Sequence, residues 1–282
     1  MRAAEPQGGG YRHSCAPAIV AAGILWAGHS LAQASSSIND ADVLKETENP
    51  VTRQITLPLR YQAEFPNGVS KETKHTFELD QVIVPFRLND DWALITRTKL
   101  PMVVQPPKNH GEKWTTGLGN GYTTFFVSPE HGKGLYWGAG PLLYYPASSS
   151  MVGVNKWGSG PSVAVVKKNE SPWVFGAVVN NIWTFNSGGD NRNRTNTFLL
   201  NPFVSYNIGD RWAVSSSPDI TADWIANGKK WTVPVGGGVS NLVHAGEQPI
   251  KLAVDAYYNA IRPKNHNDAT VVQFTVTFPF HD

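Results

Sequence analysis

The chain has 282 residues, of which 24 are Lys or Arg and 22 are Asp or Glu, with aromatics at 11% and one cysteine. A net charge of +2 gives no electrostatic case for nucleic-acid binding, and a lone cysteine rules out a disulfide framework. Past the N-terminal leader no stretch reaches about eighteen consecutive apolar residues, which excludes membrane-spanning helices.

Residues 1–34 have the layout of a secretory signal peptide. Arg2, Arg12 and His13 are basic, Ala16 to Ala27 is an apolar run, and Ala32-Gln33-Ala34 is a small-x-small cleavage site. The apolar run is too short to cross a bilayer core, which takes about 20 residues. Cys15 lies before the cleavage site, so the mature chain has no thiol. Of the 24 basic and 22 acidic residues, Arg2, Arg12 and Glu5 leave with the leader, so 22 and 21 remain. Residues 35–52 form an N-terminal segment with a cap at Ser37 to Asp40, a short helix over Ala41 to Thr47, and a stop at Asn49-Pro50. Such a segment could plug a lumen; the usual behaviour of termini favours a short periplasmic leader.

From residue 53 to 282 the chain breaks into twelve segments of roughly 10 to 14 residues, the length of a tilted membrane strand. In the first, Ile55, Leu57, Leu59, Tyr61, Ala63 and Phe65 oppose Gln54, Thr56, Arg60, Gln62 and Glu64. The second, about His75 to Leu88, has blurred alternation. The third, Trp92 to Pro101, sets Trp92, Leu94 and Leu100 against Arg97 and Lys99. The fourth to seventh are Gly117 to Ser128, Leu135 to Pro146, Trp157 to Lys167 and Trp173 to Phe185. The eighth opposes Phe198, Leu200, Val204, Tyr206 and Ile208 to Thr197, Asn201, Ser205 and Asn207. The ninth runs from Trp212 to Trp224 and carries Asp219 on its polar face; the tenth is Trp231 to Leu242. The eleventh sets Ile250, Leu252, Val254, Ala256 and Tyr258 against Lys251, Asp255 and Asn259. The last, Ala269 to Phe280, has Val272, Phe274, Val276, Phe278 and Phe280 on one side and Gln273, Thr275 and Thr277 on the other. One oily and one wet side is the signature of a strand with two different surroundings.

Links after even-numbered segments are short and those after odd-numbered ones are mostly longer, as in outer-membrane barrels with both termini on the periplasmic side. Trp92, Trp137, Trp173 and Trp212 follow short turns, whereas Trp157, Trp183, Trp224 and Trp231 sit at long-loop ends. Two aromatic belts about an aliphatic band match the two headgroup levels of a bilayer. An open edge cannot face hydrocarbon, so the last strand must pair with the first. The expected fold is therefore all-β: a closed antiparallel transmembrane β-barrel of about 12 strands, with short periplasmic turns and longer extracellular loops. Gly138, Gly140 and Gly236 to Gly238 suit bends or bulges in its wall; for Pro202 and Pro234 the sequence offers no reason.

Several runs resemble a Gram-negative outer-membrane family. They are Gly117-Leu118-Gly119-Asn120 through Phe125-Phe126-Val127-Ser128-Pro129, Leu135 to Pro141, Lys156 to Pro161, Asn180 to Trp183, Asn201 to Asn207, Thr232 to Gly238, and Ala256 to Asn259. The family is labelled phenol-degradation MetA-pathway-like or simply transporter, and some members carry the misleading label neuromedin U. The resemblance covers nearly the whole mature chain and implies an outer-membrane barrel with a transport role. It implies no particular solute. Many such barrels end on the terminal aromatic, whereas here His281-Asp282 follow Phe280.

Inward parity places Arg60, Glu64, Arg97, Lys99, Asp219, Lys251 and Asp255 in the lumen, where mixed charges line a solute path or pair off and fill it. Phe274, Phe278 and Phe280 form the terminal insertion signal for the barrel assembly machinery. The expected function is passive passage of a small organic solute across the cell outer membrane. The alternative is a non-conducting binding or structural barrel with a filled lumen. An outer-membrane lipid hydrolase is the rival enzyme class, but the mature chain has no His-x-Ser, and its histidines are scattered. No catalytic residue, cofactor or metal site is expected. The expected partners are outer-membrane lipids, the assembly machinery and one small solute.

Overall fold

The computed structural model describes residues 39–66, 72–107, 113–185, 194–263 and 268–280. Residues 1–34, where the sequence predicts a signal peptide, residues 35–38 and the terminal His281-Asp282 lie outside the described residues. The twelve strands in chain order are β1 (Ile55–Pro66), β2 (Lys74–Arg87), β3 (Trp92–Gln105), β4 in two pieces (Thr115–Leu118 and Tyr122–Pro129), β5 (Leu135–Tyr144) and β6 (Gly158–Lys168). They continue as β7 (Trp173–Thr184), β8 (Asn196–Ile208), β9 in two pieces (Trp212–Ser216 and Ile220–Asp223), β10 (Trp231–Ala245), β11 (Gln248–Ile261) and β12 (Asp268–Phe280). One helix, α1 (Asp40–Thr47), precedes them.

Each strand pairs antiparallel with its sequence neighbour, and the sheet closes on itself as a 12-strand barrel. Closure runs along nearly the whole of β1 and β12, from Ile55 opposite Phe280 to Phe65 opposite Thr270. Closure satisfies the backbone groups that an edge strand would leave open. At one end the turns are short. Ala245 pairs with Gln248 around Gly246-Glu247, and Gly246 takes φ +63°, the positive value that a two-residue hairpin turn needs at its first central position.

Three irregularities in the ladder account for what strict alternation could not. In β2, register shifts against both β1 and β3 at Asp80-Gln81, and Gln81 has φ +64°. The inward set is therefore Thr76, Glu78 and Asp80 before this bulge and Ile83 after it, which is why the strand's alternation blurs. In β9 the ladder is interrupted at Ser217 to Asp219, and Pro202 falls opposite, between the pairs Leu200–Ile220 and Val204–Ser216. Pro58 lies opposite the β2 bulge, and Pro234 sits at a register shift in β10. Prolines inside sheets belong at such interruptions. The β4 break at Gly119 to Gly121 is sealed by Asn120, which donates to the Tyr145 and Val154 carbonyls at 2.9 and 2.6 Å and accepts from the Val154 N–H at 2.6 Å.

The outward face is apolar and exposed along the wall, as at Leu59, Val163, Phe175, Val214, Leu252 and Phe274. The inward face is not uniformly polar. Ile83, Ile95, Phe126, Ala164, Val166, Val174, Val178 and Phe203 form a packed apolar core together with Val51 of the N-terminal segment. A water-filled lumen would have no use for this cluster; it exists because the N-terminal segment fills that part of the barrel.

Candidate functional site: a charged cavity beside an inserted N-terminal segment

The N-terminal segment does not extend away from the barrel as a leader. Asn39 caps α1 by accepting from the Ala41 N–H at 3.1 Å, and the helix buries Val43 and Leu44 against Leu242. Its partners come from the short-turn ends of the strands. Asp40 meets Arg211 at 2.8 Å and His244 at 3.2 Å, Glu46 pairs with Lys168, and Lys45 donates to the Asn169 carbonyl at 3.3 Å. Glu48 pairs with Lys251, and Arg53 reaches Glu130 at 3.1 Å. Gly138 makes the fit possible: a Cβ there would lie 2.9 Å from Phe126 Cβ and 3.0 Å from Val51 Cγ1. The short-turn mouth is thus occupied by residues 40–52.

Beside this segment lies a cavity of about 290 Å³, walled mainly by β1, β2, β3 and β8 to β12. Arg60, Glu64, Arg97, Asp219, Lys251 and Asp255 line it. Lys99, the seventh residue expected in the lumen, points inward but does not line this cavity. Its ammonium is taken up by Glu78 at 3.3 Å and Asp80 at 3.5 Å.

Glu78 and Asp80 were not anticipated as lumen residues. Their side chains are 4% and 5% exposed, and Arg60 bridges them at 3.6 and 2.5 Å, so two cations and two carboxylates form a neutral quartet. A buried carboxylate is tolerable only when so paired. A signal for both was present in Thr76, Glu78 and Asp80 alternating with Phe77 and Leu79, once β2 is divided at its bulge. The β9 break supplies another unanticipated feature. Asn201 Nδ2 lies within 3.2 Å of the Ser217 and Pro218 carbonyls and 3.0 Å from Asp219 Oδ1, and the Tyr257 hydroxyl accepts from the Ser217 N–H at 3.0 Å. These contacts turn Asp219 into the cavity; no repeat in the sequence announces them.

Outside, Trp92, Trp137, Trp157, Trp173, Trp183, Trp212, Trp224 and Trp231 are all exposed, as is Trp114, which was not anticipated. Trp92 and Trp137 meet edge-to-face at 6.1 Å, as do Trp224 and Trp231 at 5.8 Å, one such pair at each end of the wall. Trp224 Nε1 donates to Asn181 Oδ1 at 2.9 Å. Phe274 is exposed, while Phe278 and Phe280 are half-buried on the same outward face. His75 is engaged with the Tyr61 hydroxyl at 2.8 Å and stacks near Trp114.

No family model matches the chain, and no curated protein does. Among solved structures it is similar to an outer membrane channel from Pseudomonas putida F1, with a TM-score of 0.55 and 14% identity over 80% of this chain and 95% of that one. It is also similar to the NanC porin, with a TM-score of 0.48 and 14% identity over 79% and 100% of the two chains. Outer membrane phospholipase A from Escherichia coli gives a TM-score of 0.47 and 12% identity over 87% and 99%. At such identity the first likeness speaks for the fold, and the two weaker ones add nothing to it.

Proposed function

We propose that this chain is an outer-membrane β-barrel that passes small organic solutes passively across that membrane. One observation carries the reading: a single closed wall has an apolar, tryptophan-ended outer surface and a charged cavity inside it. The outer surface suits acyl chains and headgroups, and the polar cavity suits a solute. The likeness in fold to a solved outer membrane channel supports the reading, as does the resemblance in sequence to the MetA-pathway-like family. In this reading outer-membrane lipids surround the wall, and the assembly machinery takes the strand bearing Phe274, Phe278 and Phe280.

A second reading has its own observation. Residues 40–52 occupy the short-turn mouth and are pinned there by ion pairs, which suits a non-conducting binding barrel. A lipid hydrolase is disfavoured, because His75 and His244 are engaged with Tyr61 and Asp40 rather than with a serine. Planar-bilayer recording of the purified full chain decides between the first two. Discrete conductance steps support the channel; silence across the voltage range, with the protein shown to be inserted, leaves the filled barrel.

A further inference from the structure

The charges around the cavity do not all cancel among themselves. Lys251 meets Glu48, Lys74 meets Glu64, and Arg60 joins Glu78 and Asp80, with Lys99 closing that quartet. Three charged side chains on the wall stand outside these pairs: Arg97 on β3, Asp219 at the β9 break and Asp255 on β11. Arg97 is only 9% exposed, and its Nε has no hydrogen-bond partner. A buried guanidinium N–H without an acceptor is costly, and a carboxylate in bidentate contact is the group that best matches a guanidinium's donors. Tyr122, Asp80 and Asp219 act on Arg97 through space, but Arg97 enters none of the ion pairs among the described residues. Asp219 is held by Asn201 at 3.0 Å and enters none of the ion pairs among the described residues, although Arg60 and Lys99 act on it from a distance. Asp255 enters none of the ion pairs among the described residues, although Arg60 and Lys251 act on it from a distance.

A simple anion reaching Arg97 would be repelled by Asp219 and Asp255, and a simple cation reaching the acids would be repelled by Arg97. We propose that the cavity holds a binding site for a small zwitterion, its carboxylate on Arg97 and its ammonium group between Asp219 and Asp255. A volume of about 290 Å³ admits one small molecule, at the lower end of the range for ligand pockets. The proposal deepens the channel reading by naming a solute class, and depends on it only for passage, not for binding.

The test is isothermal titration of the full chain in detergent with 5-aminopentanoate, using pentanoate and pentylammonium as single-charge controls. The zwitterion should bind at least about tenfold more tightly than either control, a difference of about 1.4 kcal/mol. Arg97→Gln and Asp255→Asn should each remove about that factor, and Arg97→Lys should restore part of it. Pentanoate binding as tightly as the zwitterion, unchanged affinity in Asp255→Asn, or no heat with any of the three probes overturns the site. The comparison of probes on the unaltered protein stands even where a variant does not fold. Conductance recorded on the same preparation separates the two readings: a conducting barrel without binding loses the site and keeps the channel, and a binding barrel without conductance keeps the site and loses the channel.

Discussion

Replacing Arg60 with Met tests whether the quartet holds the wall together. Arg60 carries Asp80 at 2.5 Å and Glu78 at 3.6 Å, and both carboxylates are almost wholly buried. Without it, Lys99 is the one ion-pair partner left to both acids among the described residues, at 3.3 and 3.5 Å, with Arg97 acting on Asp80 from farther off. Removing one partner of a buried pair costs about 3–5 kcal/mol, because the remaining charge keeps its desolvation penalty and loses its compensation. Arg60 retains 19% exposure and Lys99 remains, so the low end, about 3 kcal/mol or roughly a hundredfold in the unfolding equilibrium, is expected. Pairing Arg60→Met with Asp80→Asn removes one charge of each sign, and should recover at least about half of that loss. The assay is urea unfolding from lipid vesicles, followed by tryptophan fluorescence. Arg87→Ala serves as the control, since the Arg87–Asp90 pair is 66% and 94% exposed and should leave the midpoint where it was. A single variant that unfolds with the control, or a double variant less stable than the single, would refute the account of the quartet.

Three further outcomes are expected. Gly246→Val forces a β-branched side chain into φ +63° and should cost about 1–2 kcal/mol in the same unfolding assay. Gly138→Val should push Val51 from its seat, so that a Thr47→Cys probe in a chain with Cys15→Ser labels faster; an unchanged labelling rate counts against the inserted segment. Lipids brominated near the headgroup should quench tryptophan fluorescence more than lipids brominated at the chain ends, and the reverse order would place the rings in the wrong layer.

Period-two alternation made β1, β8, β11 and β12 legible, because each of those strands keeps one phase against one outer and one inner environment. Their bounds, and the closure of Ile55–Pro66 on Asp268–Phe280, follow from that regularity. Four of the seven lumen charges, Arg60, Glu64, Lys251 and Asp255, reach the cavity for the same reason, while Arg97 reaches it from β3 and Asp219 from the β9 break. What stayed hidden was phase. A bulge at Asp80-Gln81 shifts the inward set by one residue, so a count carried along the whole of β2 averages two faces and loses Glu78 and Asp80. The break in β9 conceals Asn201 and Tyr257 differently, since their roles come from contacts between distant segments.

Of the two placements open to the N-terminal segment, a plug or a periplasmic leader, the behaviour of termini favoured the leader, yet the strands themselves carry the reason to prefer insertion. Val163-Ala164-Val165-Val166 in β6 and Val174 to Val179 in β7 are apolar on both parities. In a barrel with lipid outside and water inside, only one parity gains from being apolar; the other would expose hydrocarbon to water at a cost of about 25 cal/mol per Å². A wall that is apolar on both sides therefore needs an apolar occupant against its inner side. The chain supplies one in Val51, which packs with Ala164, Val166, Val174 and Val178. By the same logic the cavity lies where the inner parity stays charged, on β1, β3 and β11, and the occupied and open parts of the lumen are written in the same alternation as the barrel wall.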